Sequence, residues 1–260
     1  MSSGIFCLPR KDTHMKDIDE GKKLLDISEA RCGDAKRTEN LVHVNRDGER
    51  IKVLNLYAGV GGNRKLWENV EVTSVEKSKE IAEVYNEFYP DDTVVVGDAI
   101  EFLMKNYKNY DFFWVSPPCQ SHSKVRFIGL SRKKGAYDPV LPDFTLYSLI
   151  VWFRYHCNDK LWCVENVRPY YKPPIEPTVQ LDRHFFWSNF PIPPKKFQKP
   201  QVRHNYVRSN TVRYGIDIRD KKFKDTTKSI VTKNCVDPEI GDYIFRLGIK
   251  AQQNNKPCWG

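Results

Sequence analysis

A doubly wound α/β fold with a mostly parallel sheet is predicted by three observations. Short apolar segments alternate with segments of helical pattern from Ile51 to Val164, which is typical of parallel strands joined by helices. A glycine-rich turn at residues 57–62 directly follows the first apolar segment. Two later apolar segments lead into Cys119 and Glu165, and open α/β sheets carry their functional sites at the carboxyl ends of the strands.

The elements are predicted in order along the chain. Strands are expected near residues 51–57, 71–76, 93–96, 111–116 and 160–164. Helices are expected between them, the first beginning near Asn63 and the longest running from Phe144 to His156. The apolar stretch from Arg183 to Phe190 predicts a further strand, and Pro238 to Leu247 predicts a closing helix.

Three successive strand ends carry residues that suit an adenosine. The glycines of the turn let a ligand approach the backbone closely. Glu76, seventeen residues after Gly59, stands where a carboxylate can accept from both ribose hydroxyls. Asp98 follows the third strand and could accept from an adenine amino group. Either acid alone is more often a solvated loop residue or a helix cap, but the series predicts an adenosine site. No second phosphate-binding turn indicates a dinucleotide.

Cys119 is a candidate nucleophile. Pro117 and Pro118 precede it and restrict the backbone to a rigid extended turn. A thiolate is among the best protein nucleophiles. The loop that follows is rich in cations, and we expect these to favour the thiolate: Lys124, Arg126, Arg132, Lys133 and Lys134. Glu165, at the end of the strand near 160–164, is the matching candidate for a proton donor.

These motifs resemble those of the cytosine carbon-5 methyltransferases, over roughly residues 51–190 and 228–247. Residues 55–62 are similar to the cofactor motif of that family, with Asn55 where Asp is usual and Tyr57 where Phe is usual. Residues 116–123 resemble its Pro-Cys-Gln motif, with His122 in place of Phe. Residues 165–167 are its Glu-Asn-Val triplet, and residues 233–241 resemble its closing motif, with Lys233 in place of Gly.

The resemblance implies a class I methyltransferase fold, which is Rossmann-like, and a covalent mechanism that uses S-adenosylmethionine. Cys119 would add to carbon 6 of a flipped-out cytosine, and Glu165 would be protonated and contact ring nitrogen 3. Asn166 would orient the loop at Pro118. The family's Arg-x-Arg pair is reduced here to Arg183, our candidate for the contact to the cytosine carbonyl, with His184 as the alternative. A surface salt bridge between Asp182 and Arg183 is nearly as plausible.

The same resemblance assigns two further sets of residues. The cofactor would contact Tyr57, Ala58, Gly59, Gly61, Gly62, Glu76, Lys77, Asp98, Ala99, Pro117, Asn234 and Val236. DNA would contact Gln120, Ser123, Lys124, Arg126, Arg203, Arg208, Arg213 and Arg219. Among these, Gln120 and Ser123 are expected to reach the phosphates that flank the target.

Excess positive charge is confined to one part of the chain. The formal net charge is +9, and residues 168–230 hold 14 Lys or Arg against 5 Asp or Glu, which accounts for the whole excess. Basic side chains interleaved with aromatic ones beside a base-modifying site predict a groove for a polyanion. We therefore expect double-stranded DNA as the partner and a short, irregular target-recognition region at residues 188–230.

The remaining organisation follows from length and composition. We expect an N-terminal extension at residues 1–45, partly disordered, a catalytic domain at 46–187, and a return to that domain at 231–260. The seven cysteines show no metal-ligand spacing, so we expect reduced thiols and no metal. A polar N-terminus without an apolar span predicts an intracellular protein that does not bind membranes, and we expect a monomer.

Three other functions fit parts of the pattern. One branch of the same family methylates transfer RNA with the same two motifs. An exocyclic-amino methyltransferase would also use residues 116–118, but it needs an aromatic residue where Cys119 stands. A catalytically silent binding protein on this scaffold would have no need for both Cys119 and Glu165.

Overall fold

The computed structural model describes residues 48–124, 140–197, 214–218, 220–221, 228, 231–232 and 234–253. The predicted N-terminal extension therefore lies outside the described residues. So do several basic residues assigned above to the loop after Cys119 or to DNA contacts: Arg126, Arg132, Lys133, Lys134, Arg203, Arg208, Arg213 and Arg219.

A single mixed sheet forms the centre of the described part of the chain. Its strands are β1 (Lys52–Leu56), β2 (Glu71–Glu76), β3 (Thr93–Val96), β4 (Phe112–Val115), β5 (Leu161–Val167), β6 (Val179–Leu181) and β7 (His184–Ser188). They lie in the order β3-β2-β1-β4-β5-β7-β6. The first five strands are parallel, and β7 runs antiparallel to both β5 and β6. The prediction of a doubly wound, mostly parallel sheet, as in class I methyltransferases, is confirmed.

Helices cover the two faces of this sheet. They are α1 (Lys79–Phe88), α2 (Ala99–Asn106), which continues into a 3₁₀ turn (Tyr107–Asn109), α3 (Thr145–His156) and α4 (Pro238–Gln253). Because successive strand residues point to opposite faces, β1 and β4 contribute to two separate cores. Val53 and Trp114 pack on the α4 side, whereas Leu54 and Phe113 pack on the side of α2 and α3.

Strand register brings the functional motifs to one edge of the sheet. Leu56 pairs with Val75 on one side and with Val115 on the other. Val115 pairs in turn with Val164. The carboxyl ends of β1, β2, β4 and β5 are therefore level, so Glu165 and the residues that follow Leu56, Val75 and Val115 meet at the same edge.

The predicted helix beginning near Asn63 is wrong. The chain instead makes consecutive turns, in which Arg64 N–H donates to the Gly61 carbonyl and Trp67 N–H to the Arg64 carbonyl. Asn69 adopts a φ of 57° that no helix continues. Trp67 is buried in the core, where its indole N–H donates to the Gly241 carbonyl.

Two other elements differ in extent from the prediction. The strand expected within Arg183–Phe190 is the second half of a hairpin, β6–β7, whose turn holds Asp182 at a φ of 53°. Its partner β6 is only three residues long, too short for a period-two pattern to reveal. The closing helix continues past Leu247 to Gln253.

Candidate active site

A cavity of about 480 Å³ opens at the level edge of the sheet, a size typical of small-molecule sites. Its lining unites the cofactor turn, the ends of β2, β4 and β5, the start of α2 and the closing motif. Residues in the lining include Tyr57, Ala58, Gly59, Gly62, Glu76, Lys77, Asp98, Ala99, Pro117, Cys119, Gln120, Glu165, His184, Asn234 and Val236.

Gly59 and Glu76 together build one wall of the cavity. Gly59 adopts a φ of +57°, and a Cβ at this position would meet no atom within 4 Å, so the turn is open toward the cavity. Its N–H donates to Oε2 of Glu76 at 3.0 Å, while Oε1 accepts from Ser78 N–H at 2.9 Å. The Glu76 carboxylate is thus fixed at the cavity wall by two backbone donors.

Asp98 has two roles in the structure. Its Oδ1 caps α2 by accepting from the N–H groups of Ile100 and Glu101 at 3.0 and 3.1 Å. The same residue lines the cavity. The helix-cap interpretation is therefore correct, and it leaves the adenine contact open to Oδ2. Burial, with the charges of Asp98 and Asp143, raises the pKa of Tyr57 to about 12, so this phenol is a neutral donor.

The closing motif packs directly on the cofactor turn. A Cβ at Gly62 would overlap the Cys235 thiol and would lie 2.5 Å from the Val236 carbonyl oxygen. Glycine at position 62 therefore allows the cofactor turn to pack closely against Cys235 and Val236. The contact places Asn234 and Val236 in the cavity wall. They are distant from the turn in sequence but adjacent to it in space.

Cys119 is held at the end of β4 by its neighbours. Asn166 donates from Nδ2 to the Pro117 carbonyl at 2.9 Å, which fixes the entry to the turn. The Cys119 carbonyl accepts from the N–H groups of His122 and Ser123 at 3.0 and 3.1 Å. Its thiol Sγ lies 3.7 Å from Oδ1 of Asn234. The expectation that Asn166 orients this loop agrees with these contacts.

The described surroundings of Cys119 favour the protonated thiol in the protein without ligand. Burial, together with the negative charge of Glu165, raises the pKa of Cys119 to about 11, and the nearby Arg183 guanidinium opposes this only in part. Lys124, the one described cation of the basic loop, is exposed and does not contribute to this pKa. The effect of the other cations of the basic loop on Cys119 stays a prediction, because they lie outside the described residues.

Glu165 is a buried carboxyl group near its midpoint at neutral pH. Burial raises its pKa to about 7, while a hydrogen bond from Ser116 and the charge of Arg183 act in the opposite direction. Nε2 of His184 lies 3.6 Å from Oε1 of Glu165. Glu165 can thus hold or release a proton at ordinary pH, as a general acid or base requires.

Arg183 and His184 occupy different places. His184 lines the cavity beside Glu165. Arg183 lies outside that lining, with Nη2 3.5 Å from the Cys235 carbonyl, although its charge lowers the pKa of both Cys119 and Glu165. The sequence favoured Arg183 over His184 for the contact to the base. In the structure His184, and not Arg183, lines the cavity.

The predicted DNA contacts are only partly described. Gln120 lines the cavity, Ser123 forms a bridge with Pro169, and Lys124 is exposed. Sequence reasoning missed Asp143, a cavity residue whose N–H donates to Ser121 Oγ at 2.9 Å. No motif spacing indicates Asp143, because no helix or strand is predicted in the segment that precedes it.

The described residues contain no group of three or more His, Cys, Asp or Glu side chains arranged to hold a metal ion. No helix among them is long and apolar enough to cross a membrane.

Most of the residues that line this cavity lie in a segment that matches a known protein family. The model of the C-5 cytosine-specific DNA methylase family matches residues 51–169, which include the cofactor turn, Cys119 and Glu165. Residues 51–169, a little under half of the chain, are therefore similar to the C-5 cytosine-specific DNA methylase family. This family depends on S-adenosylmethionine, and the open Gly59 turn with the carboxylates of Glu76 and Asp98 fits an adenosine cofactor of that kind.

Comparison with individual proteins gives weaker similarity. No curated protein matches the chain. Among solved structures, a mutant of DNMT2 from Spodoptera frugiperda is 25% identical with a TM-score of 0.33, over 45% of this chain and 35% of that one. The methyltransferase EhMeth from Entamoeba histolytica is 22% identical with a TM-score of 0.30, over 45% and 38%. The matched part thus spans little more than a third of these two proteins.

Proposed function

We propose that this protein transfers a methyl group from S-adenosylmethionine to carbon 5 of a flipped-out cytosine in double-stranded DNA, through a covalent adduct with Cys119. One observation carries the proposal: Cys119 and Glu165 line the same cavity as the adenosine-type wall of Gly59, Glu76 and Asp98. A nucleophile, a carboxyl group that titrates near neutrality and a cofactor wall are the parts that such a reaction needs.

Transfer of one proton from Cys119 to Glu165 would bring both groups into the state that the reaction needs. Cys119 is protonated and Glu165 is half ionised near pH 7 in the protein without ligand. Addition to carbon 6 requires the opposite arrangement, a thiolate and a protonated carboxyl group. We infer that the Cys119 proton moves to the Glu165 carboxylate as the base enters. Glu165 then donates to ring nitrogen 3, where negative charge develops.

The remaining steps return the protein to its starting state. S-adenosylmethionine, when bound, supplies the methyl group as an electrophile to carbon 5 of the activated ring. Solvent accepts the carbon-5 proton, ring nitrogen 3 returns its proton to the Glu165 carboxylate, and cleavage of the bond between Cys119 and carbon 6 releases the thiolate and restores the aromatic cytosine. Throughout, Asn166 keeps the turn in place through the Pro117 carbonyl, and Glu76 and Asp98 hold the cofactor edge. His184, in the wall beside Glu165, would contact the cytosine carbonyl.

The family description supports DNA, and the charge supports a polyanion, which could be DNA or RNA. The excess of basic residues lies between 168 and 230. Both described ends of the proposed recognition region pack into the catalytic domain, since Phe190 and Ile192 join one core and Ile216 and Ile218 another. We therefore propose that residues 198–213, with Arg203, Arg208 and Arg213, contribute most of the target recognition.

Methyl transfer from labelled S-adenosylmethionine to two substrates tests this function. The purified chain should label duplex DNA of mixed sequence at cytosine carbon 5 and should not label transfer RNA. Cys119→Ala should abolish labelling. Cys157→Ala, which removes a buried thiol outside the cavity, is the matched control and should retain it. Labelling of transfer RNA alone would replace DNA as the substrate, and labelling by Cys119→Ala would overturn the covalent mechanism.

A further inference from the structure

His122 is buried in the turn that carries Cys119, where the resemblance expects a phenylalanine. Only 1% of its surface is exposed. Its Nδ1 lies 2.5 Å from the hydroxyl oxygen of Tyr171, and the Tyr147 hydroxyl donates to that same oxygen at 3.2 Å. A phenylalanine could fill the space but could not take part in this chain of hydrogen bonds.

The backbone around His122 joins the same two parts of the protein. Its N–H donates to the Cys119 carbonyl at 3.0 Å, and its carbonyl accepts from Tyr170 N–H at 3.1 Å. Ser123 forms a bridge with Pro169. Residues 169–171 continue the chain just beyond β5, the strand that carries Glu165. His122 thus lies where the nucleophile turn meets the segment that follows the proton donor.

We propose that His122 is a positioning residue, whose hydrogen bond with Tyr171 holds the Cys119 turn in register with the strand that carries Glu165. This inference rests on the proposed function, because it concerns the geometry of the same two reacting groups. It adds a hydrogen bond that a phenylalanine at this position could not form.

The direction of the hydrogen bonds fits a neutral imidazole. Tyr147 donates to Tyr171, so the Tyr171 proton is available to Nδ1 of His122, which accepts it only when unprotonated. Burial lowers the pKa of His122, although the carboxylate and backbone of Asp143 oppose this shift. The groups that face the ring are therefore Tyr147 on α3, Tyr171 after β5 and Asp143 before α3.

Single-turnover methylation of duplex DNA by four variants tests the proposal. Tyr171→Phe and His122→Phe each remove one end of the hydrogen bond and should slow the step about three- to ten-fold, the effect of one such bond. The double variant should be no slower than either single variant, because both remove the same contact. His122→Gln, which keeps an acceptor, should recover part of the rate. The dissociation constant of S-adenosylmethionine should stay unchanged.

Tyr155→Phe is the matched control, since it removes the same oxygen from a tyrosine on α3 that is 78% exposed. It should behave as the unaltered protein. A wild-type rate in Tyr171→Phe, or losses that simply multiply in the double variant, would overturn the proposal. So would a weakened cofactor affinity that accounts for the whole loss of rate.

Alkylation of Cys119 by iodoacetamide, followed by mass spectrometry of the peptide, separates this proposal from the proposed function. It requires no substrate. If His122 holds the turn, both phenylalanine variants should increase the alkylation rate of the half-buried Cys119 thiol, about three- to ten-fold by the same reasoning, and Tyr155→Phe should not. Unchanged alkylation would refute the positioning role even if methylation proved to have another target.

Discussion

Nε2 of His184 lies 3.6 Å from Oε1 of Glu165, and both side chains are buried. Strand register explains the contact, because His184 pairs with Val167 across β5 and β7. Glu165 is two residues from Val167 on the same strand and therefore shares its face. The pair belongs to the cavity wall, whereas Arg183 next to His184 lies at the Cys235 carbonyl.

Substitution of these two neighbours should have distinguishable effects. His184→Gln should raise the Michaelis constant for the DNA target about ten-fold, as loss of a buried hydrogen bond to substrate does. The pH dependence should change little. Arg183→Gln should instead raise the pKa of both Cys119 and Glu165, since the guanidinium now lowers both, so the acidic limb of the pH profile should move to higher pH. Steady-state kinetics between pH 6 and about pH 10 measure both effects. Equal effects on both properties would show that the two residues act as one unit.

The pH dependence of methylation should report the proton shared by Cys119 and Glu165. The reactive pair holds one proton, and that state dominates between the pKa of Glu165, about 7, and that of Cys119, about 11. Below pH 7 a second proton must be lost, so kcat/KM should fall about ten-fold per pH unit. Above pH 7 it should be level, because gain of thiolate and loss of the acid cancel.

Glu165→Gln provides the control for this profile. Without the carboxyl group the rate should be about a hundred-fold lower at pH 7 and should keep rising with pH as the thiolate forms. Cofactor affinity should hardly change. A wild-type rate that continues to rise through pH 9, like that of the variant, would contradict the assignment of Glu165 as the acid.

Glu76 and Asp98 should contribute separately to cofactor affinity and to stability. Glu76→Ala should raise the dissociation constant of S-adenosylmethionine about 10- to 100-fold, through lost hydrogen bonds to a charged acceptor. Asp98→Asn should also weaken binding, because an amide group replaces the acceptor oxygen, yet it should preserve the melting temperature, since Asn caps helices well. Calorimetric titration and thermal unfolding measure these effects.

Glu83→Ala removes a carboxylate that is 63% exposed on α1 and is the control for charge alone. It should leave the cofactor affinity unchanged. Unaltered affinity in both Glu76→Ala and Asp98→Asn would mean that the wall built on Gly59 does not bind an adenosine.

Much of the fold could be predicted from the sequence because parallel strands here are continuous apolar runs with clear ends. The prediction failed where local pattern was outweighed by packing. Trp67 is anchored in the core by Gly241, and no property of residues 63–67 alone reveals that contact. The short strand β6 likewise exists only through its pairing with β7.

The site could be predicted in its chemistry but not in its electrostatics. Cys119 and Glu165 stand out by their position at strand ends. The basic loop suggested a thiolate, however, and only the packed structure shows that burial dominates the pKa of Cys119. The choice of His184 over Arg183 in the cavity wall depends on hairpin register, which the sequence left open.

Arginines of the proposed recognition region should separate into two functional groups. Replacing a residue that contacts phosphate should weaken binding to every DNA sequence and reduce its salt dependence, whereas replacing a residue that reads a base should relax one position of the target by about 1–3 kcal/mol. We expect at least one of Arg203, Arg208, Arg213 and Arg219 to read a base. Bisulfite sequencing of plasmid methylated by each alanine variant measures this, and an unchanged motif in all four would assign recognition to another segment.

Covalent trapping on duplex DNA that contains 5-fluorocytosine tests the central claim most directly. Fluorine at carbon 5 cannot leave as a proton does, so the adduct with carbon 6 should accumulate when S-adenosylmethionine is present. Denaturing electrophoresis should show a stable complex of protein and DNA, and mass spectrometry should place the DNA on Cys119. Cys119→Ala should form no complex, while Cys157→Ala should form it normally. A complex that persists in Cys119→Ala, or methylation of ordinary DNA by that variant, would contradict the account.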